Sequence, residues 1–195
     1  FGDPLPTDTR RLAGAVIFGG PMSANDPDDF VKAEIDWIGV ALKEELPFLG
    51  ICLGAQMMAR HLGARVAFHP EGQVEVGYYP IYPTQAACSE LPWPDHVYQW
   101  HREGFDVPAG AELLATGDCF TNQAIRVGRA AYGIQFHPEV THWMMNRWTT
   151  RAHERMASPN ARPRQDHFDG RYLYDPGVRL WLDAFLDHWT ALKVG

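Results

Sequence analysis

A chain of 195 residues, 46% of them hydrophobic, can bury a full core, and its length suits one α/β domain or a domain with an appendage. Its formal net charge of -7, with no run of Lys or Arg, gives no electrostatic footprint for nucleic acid or an anionic membrane, and neither is expected as a partner. Three cysteines (Cys52, Cys88, Cys119), without a signal-peptide pattern or a long apolar span, fit reduced thiols in the cytoplasm better than disulfides.

The first strand signal is the apolar run 14–18. It leads into Gly19-Gly20-Pro21-Met22-Ser23, a turn-rich loop at a strand's carboxyl end, where ligands of open α/β sheets bind. Residues 29–45 place Val31, Ile35, Ile38 and Leu42 on one stripe, with acidic residues near the start. This is an amphipathic helix that Pro47 stops. A short apolar strand over 46–51 and a helix over 55–62 follow, with Gly63 as the stop signal. Between them stands Gly50-Ile51-Cys52-Leu53-Gly54-Ala55-Gln56. Glycines on either side of a nucleophile allow the sharp strand-to-helix turn that G-x-S-x-G forms in α/β hydrolases, here with sulfur in place of oxygen. Cys52 is therefore placed to react.

Strand-like pieces then cover 74–82, 97–101, 113–115, 123–127 and 131–136. Breakers such as Pro83, Pro92, Pro94, Gly117 and Gly128 suit a mixed sheet with antiparallel members. Beyond His137 the pattern turns helical. Residues 158–177 read as a polar connector bearing Pro and Gly, and a last helix carries Val178, Trp181, Leu182, Phe185, Leu186 and Trp189 on one face. The expected architecture is a flavodoxin-like three-layer α/β sandwich with a mostly parallel mixed sheet, a cysteine elbow and a C-terminal helical cover. Residues 1–157 would form the domain, and 158–195 the connector and helix packed on it.

Cys52 needs a base. The apolar strand ending in Phe136-His137-Pro138-Glu139 offers an imidazole with a carboxylate two residues on. An imidazole and a helix N-terminus favour a thiolate, and a carboxylate holds the imidazole in the useful tautomer. Backbone N–H groups of Leu53, after the nucleophile, and Gly20, in the upstream loop, are available to a developing oxyanion.

These segments resemble the class I glutamine amidotransferase family, in particular the amidotransferase domain of GMP synthase. Gly19-Gly20-Pro21 resembles the oxyanion loop, G-I-C-L-G-A-Q the nucleophile motif, Val97-Tyr98-Gln99-Trp100-His101 the substrate-side strand, and residues 133–140 the histidine motif, in the family's order. The resemblance implies hydrolysis of the side-chain amide of glutamine through a γ-glutamyl thioester. Cys52, His137 and Glu139 would be the triad, Gly20 and Leu53 the oxyanion hole, and Gln56 a substrate contact. The main chain around Trp100, His101 and Arg102 would hold the other end of the substrate. It also implies a small-molecule substrate, glutamine or a γ-glutamyl compound, no cofactor, and a separate ammonia-accepting synthetase as a partner. Two further readings share the sequence: a γ-glutamyl peptidase or hydrolase with the same triad, and a non-catalytic regulatory or binding subunit.

The family's oxyanion loop follows a strand, a helix and a second strand, whereas Gly19 lies close to residue 1. An upstream segment is therefore expected to be missing from the chain, since a β-α-β unit takes roughly 30 residues or more. No phosphate-cradling loop or second domain for an acceptor is evident. The tail from Thr141 reads as a lid, an interface or sheet cover. Cys88 and Cys119 lack an elbow context and read as small buried hydrophobes. No spacing among His61, His69, His96 and His101 matches a zinc signature, and no metal is expected. Trp143, Trp148, Trp181 and Trp189 read as packing residues. Arg162, Arg164, Arg171 and His167 read as a solvated loop that could meet an anionic partner.

Overall fold

A computed structural model describes residues 4–87 and 91–192, so Cys88 lies outside the described residues. Strands β1 (Ala15–Ile17) and β2 (Phe48–Ile51) flank α1 (Asp29–Lys43), and α2 (Leu53–His61) follows β2 at once. The middle holds β3 (Val66–Phe68), β4 (Glu75–Pro80), β5 (Tyr82–Pro83), β6 (His96–His101), β7 (Glu103–Phe105), β8 (Ala111–Thr116), β9 (Asn122–Val127) and β10 (Ala131–Ile134). Helix α3 (His142–Arg151), a 3-10 turn (His153–Ala157) and α4 (Arg164–Ala191) complete the chain. Among the described residues no helix is long and apolar enough to cross a membrane.

Six strands form one open sheet in the order β1-β2-β10-β9-β8-β5. The expected mixed α/β sandwich is present. The parallel share is smaller than expected: β2 pairs parallel with β1 and β10, whereas the β10–β9, β9–β8 and β8–β5 pairs are antiparallel. Strand alternation sends neighbouring residues to opposite faces. Phe48 and Ala131 meet Val31 and Ile38 of α1 and Met57 and Met58 of α2. Leu49, Ile51, Tyr132 and Ile134 meet Trp181, Phe185 and Trp189 of α4. The predicted apolar stripe of the last helix is thus the stripe that packs.

The expected connector over 158–177 is mostly helix, because α4 begins at Arg164 and runs through Pro176. Pro176 has no N–H to give the carbonyl of Tyr172, but Tyr172 is 85% exposed and water can take that place. Gly170, which reads as a breaker, lets α4 close on β4: a Cβ there would lie 2.5 Å from the Tyr78 ring. The basic residues of this stretch are not a loose loop. His167 is fully buried, with Nδ1 2.9 Å from the Tyr98 hydroxyl, and Arg171 pairs with Asp175 at 2.9 Å. Arg162 covers the Tyr79 ring and Arg164 the Phe168 ring.

Two small antiparallel pairs stand beside the main sheet. In one, β4 pairs with β6, and Glu75 faces His101; in the other, β3 pairs with β7. Neither β3 nor β7 is among the expected strands, since each has three residues, too few for a periodic signal. Pro83, expected to break a strand, lies in the two-residue β5 at the sheet edge, where no N–H is needed. Cys119 is half-buried rather than fully buried. Its Sγ donates to Gln73 Oε1 at 3.2 Å, and burial first, then Glu75, push the thiol up to about 11.

Candidate active site

Because β1, β2 and β10 are parallel neighbours, their carboxyl ends open on one edge of the sheet, where ligands of open α/β sheets sit. The chain leaves β1 into Gly19-Gly20-Pro21, β2 into Cys52, and β10 into His137 shortly after. Topology alone therefore brings the loop, the cysteine and the histidine together.

The elbow is built by close backbone approach. Cys52 has φ 50° and ψ -102°, a conformation that is rare for a residue with a side chain and costs on the order of 1–3 kcal/mol. Its N–H donates to the Ile134 carbonyl at 2.8 Å, and its carbonyl accepts from the Gln56 N–H at 3.0 Å, opening α2. A Cβ on Gly54 would stand 2.2 Å from the Ile17 carbonyl oxygen, and one on Gly50 would stand 2.5 Å from the Gly54 carbonyl carbon. Larger residues at either position would lift α2 off the sheet and swing Cys52 away.

Gly19 has a comparable role in front of the cysteine. A Cβ there would sit 2.7 Å from His137 Cε1 and 3.3 Å from Cys52 Cβ, so the imidazole edge and the cysteine share the space that glycine leaves open. His137 is 5% exposed, its N–H donates to the Tyr98 carbonyl at 2.8 Å, and its Nδ1 lies 2.7 Å from Glu139 Oε1. The ring stands edge-on to Trp148 at 5.1 Å. Burial alone would pull this imidazole down. The charges of Glu139 and the Cys52 sulfur, with hydrogen bonds to both, outweigh it and push His137 up to about 10. Glu139 Oε2 is buried without a hydrogen-bond partner among the described residues, so the protonated ring is the carboxylate's main compensation.

The other sequence candidates gather around this centre. Gly20 and Leu53 border the space beside Cys52, and neither amide donates to a protein acceptor among the described residues. Gln56 is 3% exposed; its Nε2 donates to the Glu103 carbonyl at 2.8 Å and to Gln135 Oε1 at 3.2 Å, bracing the segment between β6 and β7. Trp100 lines the cleft. The His101 side chain turns away into the core, with Nε2 2.9 Å from Glu75 Oε2 and Nδ1 2.9 Å from the Glu103 carbonyl, and Arg102 lies over the Phe68 ring. Both residues border the small cavity beside Cys52.

Several residues of the site escape sequence reasoning. Glu103, 5% exposed, accepts from the Ser23 hydroxyl at 3.0 Å and so ties the glycine loop to the start of β7. Trp148, expected only to pack, forms a wall against His137 and Trp100. Arg147, Arg151 and Arg155 close the same cavity of about 340 Å³. Their spacing of four residues is a signal for one helix face, though not for what that face covers. Among the described residues, the four histidines considered for a metal join no group of three or more ligand-type side chains: His96 stacks on Tyr174, His101 meets Glu75, His69 and His101 both stand against Phe120, and His61 is beside Gly39.

An open mixed sheet with a cysteine elbow, a glycine loop and a histidine–glutamate pair at its parallel strand ends is the build of a glutamine amidotransferase. The solved glutamine amidotransferase from Methylobacillus flagellatus superposes with a TM-score of 0.87 at 25% identity, covering 99% of this chain and 82% of that one. Residues 4–151 match the glutamine amidotransferase class-I family, and the chain belongs to it. It is 32% identical over 150 residues to the putative glutamine amidotransferase-like protein YfeJ of Salmonella typhimurium, with 72% of this chain and 62% of that protein aligned. It is 31% identical over 140 residues to one subunit of the glutamine-hydrolyzing GMP synthase of Methanocaldococcus jannaschii, with 68% of each aligned. The alignment thus spans less than two thirds of YfeJ.

Proposed function

We propose that this protein hydrolyses the γ-amide of a glutamyl group, with L-glutamine as the reference substrate, through a thioester on Cys52. The observation that carries the reading is the His137 imidazole, held 2.7 Å from Glu139 on one side and against the Cys52 elbow on the other. Cys52 attacks the amide carbon as a thiolate, and the Gly20 and Leu53 N–H groups receive the developing oxyanion. His137, kept protonated by Glu139, gives its proton to the departing nitrogen. Water then attacks the thioester and loses a proton to His137, and glutamate leaves with the cysteine restored.

Gln56 serves the substrate through the segment it braces, presenting the main chain of Trp100, His101 and Arg102 to the glutamyl end. With glutamine as substrate, similarity to a subunit of the Methanocaldococcus jannaschii glutamine-hydrolyzing synthase supports an ammonia-accepting partner for this chain. A reduced thiol at Cys52 suits the cytoplasm.

The test is glutamate release from glutamine, run beside labelling with a glutamine-analogue chloroketone. Wild type should be labelled on Cys52 alone and release glutamate, and Cys52→Ala should lose roughly 10⁴-fold or more of the activity. Glutamate release undiminished in Cys52→Ala, or wild type neither labelled nor active, contradicts the reading.

A further inference from the structure

Two cavities meet at Cys52. The smaller, about 20 Å³, has Leu53, Gln56, Trp100 and Arg102 in its wall but not His137. The larger, about 340 Å³, has His137, Trp100, Trp148 and the three arginines. A proton from His137 reaches only a nitrogen on its own side, so the leaving group belongs in the larger cavity, and the glutamyl half, too big for about 20 Å³, lies along the border of Gly20, Pro21, Cys52 and Trp100 that the two cavities share. Ammonia, close in size to a water molecule, needs roughly 10–15 Å³ of the larger cavity, a small part of it.

The lining of the larger cavity is also wrong for an ammonium product and right for an anion. Among the described residues Arg147, Arg151 and Arg155 are in no ion pair with a carboxylate. Arg147 rests over Trp143, and Arg151 ends α3, where the helix C-terminus favours a cation. Arg155 has neither. It is half-buried at the border of both cavities, and burial and the charge of Arg102 both pull its guanidinium down, with only Glu154 and the Cys52 sulfur opposing. In a chain of net charge -7, this is a local reversal of sign with no carboxylate in ion-pair contact among the described residues.

We infer that the substrate is a γ-glutamyl amide of an acidic amine, whose leaving group carries a carboxylate bound by Arg151 and Arg155, with Arg147 at the rim. The inference rests on the Cys52 reading above and names its substrate class. Cys52 Sγ bonds to the γ-carbonyl carbon, the C–N bond breaks, and the nitrogen departs with the His137 proton as the amine of an amino acid. Water then replaces sulfur at the same carbon. Trp100 and Trp148 flank the leaving group, and a guanidinium fork matches a carboxylate with two parallel hydrogen bonds.

The experiment compares kcat/KM of the full chain for γ-glutamylglutamate, γ-glutamylglycinamide and glutamine, with Cys52 labelling measured alongside. The acidic dipeptide should exceed the neutral amide by about tenfold or more, the size of a charge-assisted hydrogen bond. That ratio should fall about tenfold in Arg151→Gln/Arg155→Gln and recover in part when Arg155→Lys replaces Arg155→Gln. Equal rates on the two amides, or glutamine preferred over both, with Cys52 still labelled, would overturn the inference and leave the site reading standing. An acidic preference unchanged in the double variant would remove these arginines from the role. No cleavage and no labelling would take down the Cys52 reading and the inference with it.

Discussion

On the floor of the cleft, α2 lies against the backbones of β1 and β2, so closely that a Cβ on Gly54 would stand 2.2 Å from the Ile17 carbonyl oxygen. On the roof, α3 and the 3-10 turn meet the same cleft through side chains: Trp148 lies 5.1 Å from the His137 ring and 5.7 Å from Trp100, with the arginines beyond. The floor holds glycines whose Cβ would meet backbone, whereas the roof is made of side chains. On the proposed function, the first region sets reactivity and the second the choice of substrate.

The sharpest way to break this contrast is Gly54→Ala. Its neighbour is backbone that cannot move aside, so the variant should lose about 3 kcal/mol or more in urea denaturation, or fail to fold. A loss under about 1 kcal/mol would mean the floor is as forgiving as the roof.

Next comes Glu139→Gln, which should lower kcat by roughly 10²–10⁴-fold, the range of a general acid–base group. In wild type the alkaline limb of the pH–rate profile should lie near 10, where His137 loses its proton, and in the variant it should move down, because Glu139 is among the charges that raise it. The same group links pH to stability. With a folded-state value raised to about 10, its stabilising contribution is complete below the ordinary value of 6.5 and is lost as pH rises through about 10. Urea melts at neutral pH and at the alkaline end measure it.

Trp148→Ala should act on the roof alone, costing about 1 kcal/mol of stability from its aromatic contacts and raising KM more than it lowers kcat. The smallest effect is expected from Gly133→Ala. Gly133 pairs with Gly50 across the sheet, but a Cβ there would meet the flexible end of Met58 at 2.8 Å, so the cost should stay near 1 kcal/mol. One substitution type on the two sides of the contact between α2 and the sheet thus separates a backbone neighbour from a side-chain neighbour.

The same contrast explains what the sequence discloses. Gly50, Cys52 and Gly54 are readable because only glycine allows that backbone contact, and His137 with Glu139 because a strand end and a two-residue spacing fix their direction. The start of α4 is not readable. Gly170, Pro176 and Gly177 look like breakers, yet Tyr78 packs on Gly170, and Tyr172, whose carbonyl Pro176 leaves without its helical donor, is an exposed residue. Strands β3 and β7 are brought together by residues as far apart as Val66 and Phe105, which no local pattern reports. Trp148 and the arginines at 147, 151 and 155 are ordinary helix residues by any local rule, and only the folded chain sets them over Cys52.

The most direct test of the central claim is intact-mass measurement of the protein after acid quench during turnover of a γ-glutamyl substrate, followed by peptide mapping. One γ-glutamyl group in thioester linkage is expected on Cys52 of wild type and none on Cys52→Ala. Turnover that continues with no adduct on Cys52, at a rate Cys52→Ala matches, would contradict it.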